Sequence, residues 1–403
     1  MLSGAIARYR AFLSQPDVSP LLVTALVTRL PLGTVMLAML MHVQSLTGSF
    51  ATAGATVGSY LFASAITAPI LGRIIDRRGP TPILVATGIV CPAALALLLC
   101  AAPLGMTPSA IIATAALAGA FVPPISVLTR TMWRHRFTDE RMRLMAFAID
   151  GVLIETAFTT GPIIVAATMA AASPTAAFAV AVALTTLAAP LFALSPALKY
   201  WHRAPDEERH LLGPLTEPRL LVVYATVFLF TFCLGLTEVG YPGFATGRGS
   251  PALSGVLLAV NSAGSAVGGL IYGALHLHTP AERQVARILA AMTLPLALQA
   301  ATGVPWVLGA LAFVAGTLIA PVFALTAMLV TSIAPPRYAT EAFTWSATCI
   351  VSGIGAGQAL GGRVLETSAG YAAVFALAAG AALAGALLAW TLRTHALRVR
   401  AGS

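Results

Sequence analysis

Long apolar runs alternate with short polar segments along the sequence. As an α-helix, each run is about long enough to cross a lipid bilayer. An α-helix needs roughly 20 residues to cross the hydrocarbon core of a membrane. Because 58% of the 403 residues are hydrophobic and 9% are charged, a water-soluble domain would expose apolar surface that it cannot cover. The runs lie at residues 20–43, 51–72, 81–102, 108–130, 143–169, 174–195, 218–245, 251–275, 285–302, 305–332, 340–362 and 370–391. We predict an all-α integral membrane protein with twelve transmembrane helices.

Lysine and arginine concentrate in alternate loops of this arrangement. Of these 23 residues, 20 lie on the side of the two termini, Arg248 and Arg363 lie on the other side, and Arg29 lies within the first run. Cytoplasmic loops of membrane proteins carry an excess of such residues. The distribution predicts a multi-pass protein of the cytoplasmic (inner) membrane with both termini in the cytoplasm. It also accounts for the net charge of +9, so we expect no nucleic-acid partner.

The two halves of the sequence resemble each other. A shift of 201 residues aligns eight identical residues of the segment 48–72 with 249–273, and shifts of 197 and 196 align further identities in two later pairs of runs. The nearly constant shift indicates an internal repeat of six helices. We predict two pseudo-symmetric six-helix bundles, residues 1–195 and 218–403, joined by a cytoplasmic loop at 196–217. Parallel repeats of this kind occur in transporters that bind their substrate between the halves.

The segment after the second run reads Gly-Arg-Ile-Ile-Asp-Arg-Arg-Gly. It resembles the signature Gly-x-x-x-Asp-Arg-x-Gly of the major facilitator superfamily, with Gly72, Asp76, Arg77 and Gly79 at the matching positions. In the family two basic residues follow the signature, and a Pro-Thr pair replaces them here. The resemblance covers essentially the whole chain, and it implies the major facilitator fold and secondary transport.

In this family the loop latches the outward-open state on the cytoplasmic side. The resemblance implies the same role here, because Asp76 can accept hydrogen bonds from amides at a helix N-terminus and Arg77 can pair with an acid. Asp139 and Glu140, just before the fifth run, are the acids that we expect to meet Arg77. The alternative is a solvated, positively charged loop without a latch.

The fifth run resembles the glycine-rich, Gly-Pro motif of proton-coupled exporters in this superfamily. It contains Gly151 and the pair Gly161-Pro162, although the paired glycines that usually follow are absent. Glycine lets two helices cross closely, and proline bends a helix. The resemblance implies proton-coupled efflux by an antiporter, and simple helix packing is the alternative.

Charged side chains within the runs are costly to bury, so they indicate pairing or function. Arg29 and Glu155 lie at similar depths by residue count, and we predict a buried Arg29–Glu155 pair in which Glu155 exchanges a proton; a permanent structural ion pair is the alternative. Asp150 is five residues from Glu155, which turns its side chain about 140° away. Glu238, late in the seventh run, is either a second proton-exchanging acid or a solvated carboxylate near the outer interface.

Several aromatic and polar residues in the runs are candidates to line a central cavity. They are Tyr60, Phe158, Asn261 and Trp345, with Ser262, Gln299 and Gln358 as further polar side chains. Core packing is the alternative for each of them. Because these helices are apolar on every face, periodicity does not distinguish the cavity from the core.

The sequence contains no catalytic, nucleotide-binding or metal-binding motif, so we predict no enzyme, no cofactor and no metal. We predict a monomeric secondary active transporter that exports a small molecule in exchange for protons by alternating access. Its expected partners are the small-molecule substrate, protons and the lipid bilayer. Within transport the alternative is an uptake facilitator or symporter of a small metabolite. Outside transport it is a membrane sensor or scaffold, which needs no central cavity.

Overall fold

The computed structural model describes residues 14–15, 17–137, 139–200, 213–274, 279–335 and 339–401. These residues are helical apart from short turns, and none of them forms a β-strand. The helices of the first half are α1 (Val18–Val27), α2 (Leu30–Thr47), α3 (Phe50–Arg78), α4 (Pro80–Leu99), α5 (Pro108–Ala120), α6 (Ile125–Arg136), α7 (Glu140–Ala171) and α8 (Pro174–Leu194). Those of the second half are α9 (Pro218–Thr246), α10 (Leu253–Ala274), α11 (Ala281–Ala301), α12 (Pro305–Gly316), α13 (Ile319–Ile333), α14 (Ala339–Leu365) and α15 (Gly370–Ala401).

Three of the predicted spans consist of two helices each, and proline explains each break. Pro31 has no N–H to donate to the backbone carbonyl at the end of α1. Pro321 likewise has none to donate to the backbone carbonyl just after α12. The Pro123-Pro124 pair separates α5 from α6. The first of these breaks places Arg29 at the N-terminal end of α2, inside the span.

Eleven helical stretches of the described chain are long and apolar enough to cross a bilayer. The remaining predicted span is α14, whose 27 residues extend about 40 Å at 1.5 Å per residue. Its threonine, serine, glycine and glutamine residues lower its hydropathy, and it packs between α9 and α3. Small and polar residues are typical of helix contacts within a membrane, because the surrounding lipid is as apolar as leucine. The prediction of a twelve-span, all-helical membrane protein is confirmed.

Consecutive spans run in opposite directions, so the junctions between them fall at two ends of the bundle. We name these the Ser49 end, where α2 meets α3, and the Arg78 end, where α3 meets α4. A cluster of buried hydrophobic residues around Leu95, toward the Ser49 end, includes Val239 of the second half. A second buried cluster around Trp133, toward the Arg78 end, contains first-half residues only. The apolar cores of the two halves therefore join toward the Ser49 end.

Glycines bring the backbones of the two halves into contact toward the Ser49 end. A Cβ atom at Gly54 of α3 would overlap the carbonyl oxygen of Gln358 in α14, and we call this α3–α14 contact the seal. A Cβ atom at Gly255 of α10 would overlap the carbonyl oxygen of Pro162 in α7. By contrast, a Cβ atom at Gly72, toward the Arg78 end of α3, meets no described atom within 4 Å.

A hydrogen-bonded carboxylate joins the halves beside the seal. Glu366 lies just after α14, and its Oε1 accepts hydrogen bonds from the Ser49 hydroxyl at 2.6 Å and from the Ala51 amide at 3.0 Å. Ser49 is the N-cap of α3, so the carboxylate sits where the helix dipole favours negative charge. The hydrogen bond from Ser49, and then that from Ala51, holds the pKa of Glu366 below its usual range.

Replacing Gly54 with alanine should destabilise the protein, because the added Cβ atom meets backbone that no side-chain rotation can move aside. Overpacking of this kind typically costs about 1–3 kcal/mol. Gly380→Ala in α15 is the matched control, since its Cβ atom meets no described atom within 4 Å. We expect thermal unfolding in detergent at a lower temperature for Gly54→Ala and no such decrease for Gly380→Ala. Equal unfolding temperatures would contradict the close contact.

Acid should weaken the contact at Glu366. Because its pKa is lowered in the folded protein, the carboxylate stabilises the fold fully above the ordinary value of 4.5 and stops doing so as pH falls through the lowered value. We expect the difference in unfolding temperature between wild type and Glu366→Gln to be full at about pH 6 and to shrink as the pH falls from about 4.5 through the lowered pKa. A difference that does not vary with pH would show that the charge of Glu366 is not involved.

Candidate functional site

A cavity of about 60 Å³ lies between the two halves. Five helices line it: α2 with Leu32, Gly33, Met36, Leu37 and Leu40, α7 with Phe158 and Pro162, α9 with Glu238, α10 with Leu258 and Ser262, and α14 with Gln358. The first-half wall is apolar, whereas all three polar side chains belong to the second half. A space of this size holds a few water molecules. A larger molecule does not fit in this cavity as it stands.

Glu238 is the ionisable residue of this cavity. It lies eight residues before the end of α9, or about 12 Å from the Ser49 end of that helix. The Gln358 Nε2 donates a hydrogen bond to its Oε2. Among the described residues it forms no ion pair. A carboxyl group in such surroundings either carries its charge without a counter-ion, which is costly, or holds a proton. The arrangement is suited to taking up and releasing a proton.

Gln358 is almost fully buried, with 2% of its surface exposed. Its Oε1 has no hydrogen-bond partner among the described residues, although buried amide oxygens are usually paired. Its side chain reaches Glu238, and its backbone carbonyl forms the seal with Gly54. One residue thus contacts both the cavity acid and the interface between the halves.

Glu155 lies on the face of α7 that contributes to the cavity. Phe158 and Pro162 follow it by three and seven residues, and these spacings place side chains on one face of a helix. Glu155 is half-buried and lies one turn from Phe158 toward the Arg78 end. It forms no ion pair with any described residue, so the predicted pair with Arg29 is wrong.

Arg29 pairs with Asp150 instead. The Arg29 Nη2 lies 2.7 Å from the Asp150 Oδ1, and the two side chains are 1% and 2% exposed. The Trp133 Nε1–H donates to the same oxygen at 3.3 Å, and the Nε of the largely exposed Arg130 lies 3.7 Å from the Oδ2. These groups join α2, α6 and α7 within the first half. The prediction chose the wrong acid because residue counts measure depth, whereas the direction of the side chain decides which of Asp150 and Glu155 meets the guanidinium.

The motif predicted in a loop after the second run lies instead in the last turns of α3, and only Gly79 follows the helix. Gly79 adopts a φ of 87°, which glycine adopts without strain, and it ends α3 just before α4 begins. Arg77 is exposed and has no ion pair among the described side chains, and Asp139 caps α7 by accepting a hydrogen bond from a backbone N–H. The side chains of Asp76 and Glu140 lie outside the described residues. The ionic latch stays a prediction.

The Gly-Pro motif of α7 forms helix contacts through one of its two glycines. A Cβ atom at Gly161 would overlap the backbone of Gly33 in α2, and Pro162 both lines the cavity and contacts Gly255 in α10. A Cβ atom at Gly151 meets no described atom within 4 Å. The expectation that Gly151 lies at a helix crossing is therefore wrong for this conformation, because no described neighbour approaches it.

The four aromatic and amide residues expected at the cavity lie in different places. Phe158 lines it. Tyr60 is 9% exposed and packs in the first-half core. The Asn261 Nδ2 donates to the Ala312 carbonyl at 2.9 Å and so joins α10 to α12, and Trp345 packs against the second-half core. Tyr60, Asn261 and Trp345 are therefore not among the cavity-lining residues.

The cavity wall formed by α2 has no signal in the composition of the sequence. Its cavity-lining side chains, from Leu32 to Leu40, are apolar like those of every other span, so composition does not mark them. Gly33 is the one available signal, because it follows the break at Pro31 and meets Gly161 of α7. A glycine beside a proline break points to a close helix contact, though not to its partner.

Twelve helical spans in two halves around a cavity define the architecture of a secondary transporter. The sequence profile of the Major Facilitator Superfamily matches residues 21–357, and the chain belongs to this family. A crystal structure of a mutant of the nucleoside transporter NupG is similar in fold, with a TM-score of 0.75 and 16% identity. Another NupG crystal structure has a TM-score of 0.67 and 14% identity, and both alignments cover 93% of this chain and 98% of NupG. No curated protein sequence matches the chain.

Removing one member of the Arg29–Asp150 pair should strongly destabilise the first half, because the other charge is left buried. Loss of one partner of a buried pair costs about 3–5 kcal/mol, whereas replacing both partners is often nearly neutral. We expect Arg29→Met and Asp150→Asn each to lower the unfolding temperature in detergent, and the double variant to regain much of the loss. Arg130→Met, at a position 63% exposed, should have a smaller effect. Additive losses in the double variant would contradict the pairing.

Proposed function

We propose that the protein exports a small molecule across the cytoplasmic membrane in exchange for protons, by alternating access to the cavity between its halves. Membership of the Major Facilitator Superfamily supports secondary transport. Proton coupling rests on one observation, which is that Glu238 lies in the cavity, bonded to Gln358 and without an ion-pair partner among the described residues. The partners required are the substrate, protons and the bilayer, and the protein acts as a monomer.

The closed Ser49 end supports an inward-facing resting conformation. The arginine distribution predicts that the Arg78 end lies in the cytoplasm. In that orientation the contacts of α3 with α14 and of α7 with α10 close the cavity toward the outside. Outward opening then requires these contacts to separate while the Arg78 end closes, and the predicted latch at Asp76 and Arg77 would form in that second state.

Substrate and proton compete for Glu238 in the proposed cycle. From the cytoplasmic side, a donor group of the substrate replaces the Gln358 N–H on the carboxylate. After the Ser49 end opens, the substrate leaves and a proton from the external water protonates the Glu238 carboxylate. The protonated carboxyl returns to the inward-facing state and releases its proton to the cytoplasm. Glu155, on the same face of α7 as Phe158, is the next acid to test in this role.

The alternative is uptake of a small metabolite, and the fold similarity to a nucleoside transporter supports a nucleoside-like substrate for it. Glu238, Ser262 and Gln358 offer hydrogen-bonding groups that suit the hydroxyl and N–H groups of a nucleoside-like solute. In that case the proton and the substrate move in the same direction, or the solute moves downhill alone. The direction of the pH gradient that drives accumulation separates these alternatives from export.

Glu238→Gln should abolish accumulation driven by a pH gradient, because an amide does not exchange protons in this range. Downhill exchange of substrate should persist, since the amide still accepts a hydrogen bond. The measurement is transport of a panel of metabolites and amphipathic compounds by proteoliposomes, with and without an imposed pH gradient. Glu155→Gln is compared in the same assay.

Glu282→Gln provides the matched control for this assay. Glu282 lies in the first turn of α11, away from the cavity, and its Oε1 is 3.6 Å from the Arg219 Nη2. Loss of such a surface pair has little energetic effect. Gradient-driven accumulation that survives in Glu238→Gln and disappears in Glu155→Gln would reassign the proton-exchanging acid.

A further inference from the structure

At the level of the cavity, α14 is held by backbone contacts on two sides. A Cβ atom at Gly235 of α9 would overlap the carbonyl oxygen of Ile354 in α14, and one at Gly54 of α3 would overlap that of Gln358. Packed backbones of this kind have discrete arrangements rather than a continuous range of positions. A movement that opens the seal must therefore change how α14 packs against its neighbours.

Gln358 contacts both of these neighbours. Its side-chain amide donates to Glu238 of α9, while its backbone carbonyl faces Gly54 of α3. The residue is 2% exposed, and within the described chain this bond is the one that holds its side chain. The position of the amide therefore depends on what occupies the Glu238 carboxylate.

We propose that Gln358 is a positioning residue that ties the seal to the occupancy of Glu238. While the cavity is empty, the amide rests on Glu238 and α14 stays in the sealed position. A substrate that takes the carboxylate displaces the amide and releases the seal. This inference rests on the proposed transport function, because it requires a ligand that binds Glu238.

The physical reason is the cost of a displaced amide. The bond that it loses is to a carboxylate, and such bonds are stronger than those between neutral groups. The Gln358 Oε1 already lacks a hydrogen-bond partner among the described residues. Once displaced, the N–H groups of the same amide lack one too, and burying unpaired polar groups is unfavourable. A shift of α14 that brings the amide to water or to the substrate relieves this cost, and the same shift separates α14 from α3.

Few other groups compete for Glu238. From α2 and α7 the cavity wall is apolar, and from α10 it offers the Ser262 hydroxyl. Glu155 lies one turn from Phe158 on the cavity face of α7. The described titratable groups on the helices packed against α9 are Glu341, Cys349 and Arg363 of α14, Tyr272 of α10 and Tyr371 of α15, and none of them bonds to Glu238.

The test measures the distance between the halves at the Ser49 end, in the full chain without substrate. Spin labels at Leu104→Cys and Val304→Cys, in a background with the native cysteines replaced by alanine, report the distance between the halves at the Ser49 end. Both positions are exposed and lie in turns at this end of opposite halves. We expect one short distance in this background and, after Gln358→Leu, a several-fold larger population at a longer distance.

Gln299→Leu is the matched control, because Gln299 is another fully buried glutamine of the second half and does not line the cavity. It should leave the distance distribution unchanged. An unchanged distribution in Gln358→Leu, or an equal change in both variants, would overturn the proposal. Gel filtration of each variant ensures that only folded, monodisperse protein is compared.

Gln358→Glu tests the pH dependence of the distance between the labels, which a purely structural role of Gln358 would not change. Two carboxylates side by side repel each other when both are charged, and they share a hydrogen bond when one is protonated. We expect this variant to show the long distance at neutral pH and the short one after acidification, a pH response larger than that of the background protein. A distance that does not vary with pH would contradict the proposal.

These distances are separable from the transport assay. If the seal responds as expected while no compound in the panel follows the pH gradient, then the proposed proton-coupled transport fails and the contact between Glu238 and Gln358 keeps its conformational role. If transport depends on Glu238 while Gln358→Leu leaves both the seal and transport unchanged, then the positioning role fails alone.

Discussion

In a bilayer a helix is surrounded by lipid as apolar as its own side chains, so helices associate through close packing and hydrogen bonds rather than through exclusion of water. The contacts of α14 follow from this constraint. Its backbone meets glycine in α3 on one side and glycine in α9 on the other. The position of the cavity acid, the closure of the Ser49 end and the contact between the halves all depend on this close approach. A single methyl group at Gly54 is enough to disturb it.

Much of the fold could be predicted from the sequence, because the bilayer imposes a length and a composition on each span. The twelve helices follow from the apolar runs. The exception is α14, whose hydropathy is lower than that of the other spans. Hydropathy does not measure whether a helix contacts protein or lipid. Its small and polar residues match contacts with protein rather than lipid, and only the packing of α3 and α9 around it makes this evident. The helix breaks within three spans follow from proline chemistry once the spans are known.

The site was harder to predict, because its geometry depends on directions around helices and on partners distant in the chain. Glu238 and Gln358 are 120 residues apart, and the sequence contains no pattern that pairs them. Depth by residue count pairs Arg29 with Glu155, whereas the side chain of Asp150, about one and a half turns away on the same helix, has the direction that meets it. The apolar wall of α2 has the same composition as the core, so only coordinates separate the two.

The buried Arg29–Asp150 pair has a consequence for how the protein is made. Asp150 follows Arg29 by 121 residues, so the arginine is synthesised well before its counter-ion exists. An unpaired arginine near the middle of a bilayer costs about 2.5–3.5 kcal/mol even on insertion scales measured in cells. The guanidinium gains its counter-ion only when α7 lies beside it. The burial of Arg29 therefore depends on a helix that is synthesised much later in the chain.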